Sequence, residues 1–111
     1  MNRLKRQKDF DTVFSKGKRV YARSLCMVYL KKSELTLIGV SVSKRHGKAV
    51  VRNRIKRLLR AVYYPLVPSI KSGYYIVFLP KVANEYSYKV FSADINYLLK
   101  KECLFSDQNV Q

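Results

Sequence analysis

The segment KRHGKAVVRNRIKRLLR, residues 44–60, contains eight lysines and arginines and no acidic residue. On a helix, at about 100° per residue, its apolar side chains fall on one stripe about 100° wide, which is the width that a helix presents to a protein core. The stripe consists of Val51, Ile55, Leu58, Leu59 and, just beyond the segment, Val62. The segment therefore predicts an amphipathic helix that packs on a folded domain and exposes a basic face.

This basic face has no internal charge compensation. A solvated helix face usually mixes signs, because acidic side chains four residues away relieve the repulsion between cations. Here an external anion would have to supply that relief, and guanidinium groups pair with phosphate through two parallel hydrogen bonds. The pattern favours nucleic acid. A plain solvated face and an amphipathic helix at a membrane surface or in a calmodulin-like partner stay open as alternatives.

Composition supports a polyanion as the partner of a single small domain. The chain has 111 residues and a formal net charge of +16. Residues 1–60 carry 18 basic and 3 acidic side chains, a net charge of +15, whereas residues 61–111 carry 5 and 4, a net charge of +1. The N-terminal residues are charged where a signal peptide would be apolar, and no apolar run approaches the ~18 residues that span a bilayer. We expect a cytoplasmic protein without a membrane partner.

Periodicity predicts an α+β domain in which helices pack against a small sheet. The order is helix, three strands, helix, strand, helix. The first helix covers residues 8–16, and two antiparallel strands within residues 20–32 are broken near residues 22–24. A turn at residues 33–34 leads to a third antiparallel strand at residues 35–43, a loop follows the basic helix at residues 65–68, and a fourth strand covers residues 73–80. Ser87 is a predicted N-cap for a last helix that ends near Lys101, and residues 106–111 are predicted to form a frayed tail.

Catalytic and metal-binding constellations are not evident in the sequence. His46 is the only histidine, and we expect it to contact phosphate or solvent rather than to act as a general base. The seven acidic residues are scattered, whereas a two-metal nuclease needs several convergent carboxylates. Cys26 and Cys103 lack metal-binding or redox spacing, and the tyrosines of the second half are assigned to packing. No catalytic residue and no metal ligand is predicted on the protein.

The spacing of these residues resembles that of a known family, the bacterial ribonuclease P protein subunit. The similarity rests on GVSVSKR at residues 39–45, on GKAVVRNRIKR at residues 47–57 with its Arg-Asn-Arg signature, and on Arg3-Leu-Lys near the start. Phe10 and Phe14 before Gly17, and the strand beginning at Tyr74, extend it over nearly the whole chain. The resemblance implies one RNA-binding domain over residues 1–111, with a left-handed crossover between strands.

The resemblance also implies a function and two sets of site residues. The protein would assist a catalytic RNA subunit, acting with Mg²⁺, in removing the 5′ leader of precursor tRNA, with one protein per RNA and no protein side chain doing the chemistry. The residues implied to contact RNA are Lys44, Arg45, Lys48, Arg52, Asn53, Arg54, Lys56, Arg57 and Arg60. Those implied to line a cleft for the single-stranded leader are Phe10, Phe14, Cys26 and Val28.

The sequence leaves open both the lining of the cleft and the function of the protein. Family members often have an aromatic residue where Val28 stands, and Tyr29, next to it, falls on the opposite strand face. Without the resemblance, core packing would be the preferred interpretation of Phe10 and Phe14. The alternative functions are a generic basic RNA-binding protein such as a ribosomal protein and, less in keeping with the scattered acids, a self-sufficient nuclease.

Overall fold

The structure, a computed structural model, describes residues 3–32 and 35–106. The described residues form three α-helices, two 3₁₀ segments and four strands. In chain order these are α1 (Gln7–Lys16), β1 (Lys18–Tyr21), β2 (Leu25–Lys31), β3 (Leu37–Val40), the 3₁₀ turn Lys44–His46, α2 (Ala49–Tyr63), the 3₁₀ segment Tyr64–Ser69, β4 (Tyr74–Pro80) and α3 (Tyr88–Lys101). The predicted fold class and element order are confirmed.

The four strands form one mixed sheet in the order β1-β2-β4-β3. β1 and β2 are antiparallel, as predicted, and the break between them lies where the sequence placed it. The prediction of an antiparallel β3 is wrong, because β3 pairs in parallel with β4 and not with β2. The reason is α2, which carries the chain from the end of β3 back to the start of β4; the resemblance predicts that this crossover is left-handed. The turn predicted at residues 33–34 lies outside the described residues.

Strand alternation gives the sheet two apolar faces, and each is covered by helices. On one face, α1 packs Val13 against Val28 of β2 and Val77 of β4. On the other face, α2 and α3 pack with odd-numbered residues of β2 such as Met27 and with even-numbered residues of β4 such as Phe78. The sheet is therefore a central layer with α1 on one side and the α2–α3 pair on the other.

The outer edge of β3 is covered by the N-terminal segment. Arg3 forms an isolated parallel bridge with Ile38, and the Leu4 N–H donates to the Ile38 carbonyl at 3.0 Å. An uncovered strand edge would leave these backbone groups available to other chains. The segment also brings the side chains of Arg3 and Lys5 to the flank of α2.

Local signals set the remaining boundaries. Ser87 caps α3 as predicted, since its side chain accepts a hydrogen bond from the Val90 N–H. The predicted loop at residues 65–68 is instead part of the 3₁₀ segment Tyr64–Ser69. The Ser106 N–H donates to the Ser69 carbonyl at 2.6 Å, and the rest of the predicted tail, residues 107–111, lies outside the described residues. Within the described residues, no helix combines the length and apolarity needed to cross a membrane.

Candidate RNA interface

The basic segment does not form one continuous helix. Lys44 and Arg45 lie on the 3₁₀ turn, which ends at Gly47, and Lys48 is the N-cap of α2. Gly47 has a φ of 126°, a backbone conformation that side chains with a Cβ rarely adopt, so the helical hydrogen bonding is interrupted there. Lys44, Arg45 and Lys48 are all exposed. They form a separate basic turn in front of α2.

His46 holds this turn against the sheet. Its Nε2 donates to the Pro80 carbonyl at 2.7 Å, and its Nδ1 lies 3.1 Å from the Ser43 N–H. A neutral ring with its proton on Nε2 satisfies both contacts, because Nδ1 then accepts from the backbone. The ring nitrogens of His46 thus contact backbone groups rather than the phosphate that the sequence analysis expected, while the half-buried ring keeps part of the expected contact with solvent. The imidazole joins the start of the basic segment to the end of β4.

The residues of α2 that are predicted to contact RNA divide into three groups around the helix axis. Lys56 and Arg60, one turn apart, are half-buried and line a cavity beside the N-terminal segment, and Arg52 precedes them on the same flank. Asn53 and Arg57 are exposed in the middle of the outward surface. Arg54 is exposed on the opposite flank, next to α3. The predicted basic face thus consists of an outward ridge with two flanks that meet different neighbours.

The cavity on the first flank is strongly cationic, with a volume of about 270 Å³. Arg3, Lys5, Lys56 and Arg60 line it, and no carboxylate among the described residues does. The Arg60 side chain also lies beside Tyr63 at this wall. Guanidinium and ammonium groups that line a cavity without a carboxylate are suited to bind a phosphate.

Tyr63 forms part of the same wall. Its side chain is almost fully buried, and this burial raises the pKa of the Tyr63 hydroxyl, while the nearby guanidinium groups of Arg60 and Arg3 partly oppose the rise. The phenol therefore stays protonated and neutral at ordinary pH. A neutral hydroxyl adds no negative charge that would offset the cations around it.

The predicted cleft residues gather between α1 and the sheet. Phe10, Phe14 and Val28 belong to one apolar cluster, and the two phenyl rings are tilted at 42° with centroids 6.2 Å apart. Cys26 lies on the same face of β2, and its sulfur accepts a weak hydrogen bond from Arg19 at 3.7 Å. Cys26 and Val28 are buried, whereas the phenylalanines are half-buried. Among the four predicted cleft residues, the accessible surface is therefore aromatic and comes from α1.

Sequence reasoning missed Tyr75 as a residue of this cleft. Alternation along β4 places Tyr75, Val77 and Leu79 in the cluster under α1, and Tyr75 is half-buried. The period-two pattern could have found it once β4 was assigned a face. Tyr29 lies on the opposite face, as predicted, and its hydroxyl donates to Glu102 at 2.5 Å.

Two acidic residues of the described chain, Glu102 and Asp94, have structural partners. Glu102 accepts from Tyr29 and forms an ion pair with Lys18 at 2.9 Å. These two hydrogen bonds lower the pKa of Glu102, while burial and the neighbouring carboxylate raise the pKa of Tyr29 to about 12. Asp94 accepts from the backbone N–H and the hydroxyl of Ser24. In residues 3–32 and 35–106, no three His, Cys, Asp or Glu side chains are grouped so that they could hold a metal ion.

Comparison with known proteins identifies the relatives of this chain. Residues 1–103 match the family model described as Ribonuclease P. The ribonuclease P protein component of Clostridium botulinum strain Langeland is 36% identical over 109 residues, which cover 95% of this chain and 97% of that protein. The protein component of Caldanaerobacter subterraneus is 37% identical over 111 residues, which cover 97% and 95%. The solved RNase P protein of Staphylococcus aureus superposes with a TM-score of 0.83 at 26% identity, covering 96% of this chain and 99% of the other.

Proposed function

Because this chain belongs to the bacterial ribonuclease P protein family and is a protein subunit of that ribonucleoprotein endoribonuclease, we propose how its surfaces act on RNA. The basic turn and α2 hold the RNA subunit, which is the partner of every such protein component. The cleft between α1 and the sheet holds the single-stranded 5′ leader of precursor tRNA.

The observation that carries the proposal is the position of Phe10. Its ring belongs to the apolar cluster of the cleft and also lines the cationic cavity of Arg3, Lys5, Lys56 and Arg60. A strand lying in the cleft would therefore reach these cations with its next phosphate groups. Bases supply the stacking partners for aromatic rings, and phosphates supply the anions that pair with the guanidinium and ammonium groups of the cavity.

The leader site explains how a protein without catalytic residues increases cleavage. A leader is present on the substrate and absent from the mature product, so contacts in the cleft favour substrate over product. Stacking of unpaired bases on aromatic side chains contributes roughly 1–3 kcal/mol per base. We assign these contacts to Phe10 and Phe14, with Cys26 and Val28 as the buried floor beneath them and Tyr75 beside them.

The metal ion, the stoichiometry and the compartment follow from a protein that binds RNA and leaves the chemistry to the RNA subunit. Mg²⁺ acts with the RNA subunit rather than on the protein, since the described residues offer no cluster of metal ligands. One protein binds one RNA, through a single basic ridge on α2. The cytoplasm, where bacterial precursor tRNA is made, is the compartment that this function implies.

Reconstitution tests the proposal directly. A precursor tRNA with a 5′ leader is incubated at low Mg²⁺ with the protein alone, with a cognate RNA subunit alone, and with both. We expect correct cleavage only with both components, and tighter binding of precursor than of leaderless tRNA by the complete enzyme. Cleavage by the protein alone would reveal a missed active site. Binding without any stimulation would leave a generic RNA-binding module.

A further inference from the structure

A second cavity lies on the sheet face opposite the leader cleft, and we call it the α2–α3 groove. Its volume is about 820 Å³, within the range of ligand-binding pockets, ~300–1,000 Å³. Its apolar floor consists of Val51, Ile55, Leu58, Val90 and Phe91. Its rim carries three cations, Arg23, Arg54 and Lys81, and one carboxylate, Glu85.

Two sets of contacts build two walls of the groove. Asp94 of α3 binds both the backbone N–H and the hydroxyl of Ser24, which fixes the turn that carries Arg23. His46 fixes the entry to α2 against Pro80, directly before Lys81. These contacts join both sides of the groove without a ligand, so its shape is preorganised.

The loop between β4 and α3 closes the third side. The Tyr86 hydroxyl accepts from the Ala83 N–H at 3.0 Å, which folds the loop back on itself. The Tyr86 ring packs 5.9 Å from the Phe91 ring and 6.4 Å from the His46 ring, measured between centroids. An aromatic wall therefore stands next to the apolar floor.

The chemistry of the groove selects a ligand with two parts. The floor favours a flat apolar group, because removing apolar surface from water is favourable in free energy. The rim, with a net positive charge, favours a phosphate beside that group. Duplex RNA presents phosphates outward and keeps its bases stacked, so it would meet the rim and leave the floor empty. An unpaired nucleotide satisfies both parts.

We propose that the α2–α3 groove binds an unpaired nucleotide of the RNA subunit, with its base on the floor between Val51 and Val90 and its phosphate on Arg54, Arg23 and Lys81. This inference rests on the proposed function, since it assumes the assignment of α2 to that RNA. The RNA subunit is preferred over the leader as the occupant because the leader cleft lies under α1, on the other side of the sheet. The groove thus gives the RNA subunit a shape-selective contact in addition to the exposed polar ridge of Asn53 and Arg57.

Val90→Trp tests the floor by filling the groove without changing any charge. The control is Ala93→Trp, which adds the same ring one turn later on α3, where the side chain is exposed. Affinity of each full-length protein for the cognate RNA subunit is measured by filter binding, and thermal unfolding followed by circular dichroism confirms that each is folded. We expect Val90→Trp to weaken binding about tenfold, the scale of one lost stacking contact, and Ala93→Trp to bind as the unsubstituted protein does.

A second pair of variants tests the rim and does not depend on the folding of Val90→Trp. Arg23→Gln with Lys81→Gln removes two rim charges, and Lys89→Gln with Lys100→Gln removes two charges elsewhere. Both pairs lower the net charge equally, so the nonspecific electrostatic contribution is matched. We expect the rim pair to lose about tenfold more affinity for the RNA subunit than the control pair.

Two outcomes would overturn the inference. One is that Val90→Trp and Ala93→Trp bind the RNA subunit equally, whether both are weakened or neither is, or that the rim pair and its control pair bind it equally. Another is that Val90→Trp leaves this affinity unchanged but reduces the preference of the complete enzyme for precursor over leaderless tRNA, which would make the leader the occupant. Failure of the proposed function is distinguishable, since it would appear in the unsubstituted protein as an absence of RNA-subunit binding or stimulation.

Discussion

Gly39 supports the Phe10 ring at the edge of the leader cleft, and Gly39→Ala tests this support. A Cβ atom at position 39 would lie 2.7 Å from Cζ of Phe10 and 3.0 Å from Cβ of Leu4. Carbon atoms in contact are normally ~3.5–4.0 Å apart, so the ring would have to move by about 1 Å. Gly39 does not have a positive φ, and alanine can therefore adopt its backbone conformation. The expected effect comes from the clash and not from backbone strain.

The size of this effect follows from two opposing contributions. Overpacking a core typically costs about 1–3 kcal/mol. Replacing glycine by alanine in a compatible conformation returns about 0.4–1 kcal/mol by restricting the unfolded chain. We therefore expect Gly39→Ala to lower the free energy of unfolding by about 1–2 kcal/mol. The displaced Phe10 ring would also weaken stacking on the leader, so the preference of the complete enzyme for precursor over leaderless tRNA should fall about fivefold.

A double-mutant cycle separates the contact from general damage. Phe10→Leu removes the atom closest to position 39, so in that background Gly39→Ala should cost about 1 kcal/mol less than in the unsubstituted protein. Urea denaturation of the four proteins measures the coupling. Strictly additive losses, or an unchanged leader preference in Gly39→Ala, would refute the argument that the ring rests on this glycine.

Three further predictions concern charge and the linkage of elements. If α2 and its basic turn neutralise about six phosphates, log affinity for RNA falls against log salt with a slope of about −4 to −5, and a slope near zero in a salt titration would contradict this. Because the pKa of Glu102 is lowered on folding, its contribution to stability is fully present above about pH 4.5 and is lost as the pH falls through the folded-state pKa. Glu102→Gln should therefore destabilise the protein at pH 7, and this loss should shrink steadily as the pH is lowered below about 4.5; a urea midpoint shift that does not change with pH would contradict the ion-pair argument. His46→Phe loses the contacts with Pro80 and Ser43 and should destabilise the protein by about 1–2 kcal/mol in urea denaturation, whereas His46→Gln should recover part of this loss.

Local sequence signals predicted those parts of the fold that depend on nearby residues. α1 and α3 follow from apolar spacing, and the N-cap of α3 follows from Ser87, whose partner is only three residues away. The pairing of β3 could not be predicted in this way, because its partner residues in β4, such as Ile76 opposite Ile38, are 38 positions further along the chain. Apolar alternation identifies a strand, but it does not identify the neighbour or its direction.

In the candidate site too, features set by nearby residues were predicted and features set by distant residues were not. The helical wheel of residues 44–60 correctly gave α2 an apolar stripe, with Ile55, Leu59 and Val62 buried, and left a polar surface around it. It could not show that Lys56 and Arg60 meet the N-terminal segment while Arg54 meets α3, because the wheel contains no information about what packs on either side. The role of His46 escaped for the same reason, since its partner Pro80 lies 34 residues away.

Under the proposed function, the two flanks of α2 would let one small protein contact two RNA molecules. Cations on the flank of Lys56 and Arg60 are continuous with Phe10 and the leader cleft, whereas Arg54 is continuous with the α2–α3 groove on the other face of the sheet. A single helix therefore borders both surfaces, with the exposed Asn53 and Arg57 between them. Charge alone would let either RNA occupy either flank. The aromatic rings on one side and the enclosed apolar floor on the other make the two flanks chemically different, so the substrate and the RNA subunit need not compete for the same contacts.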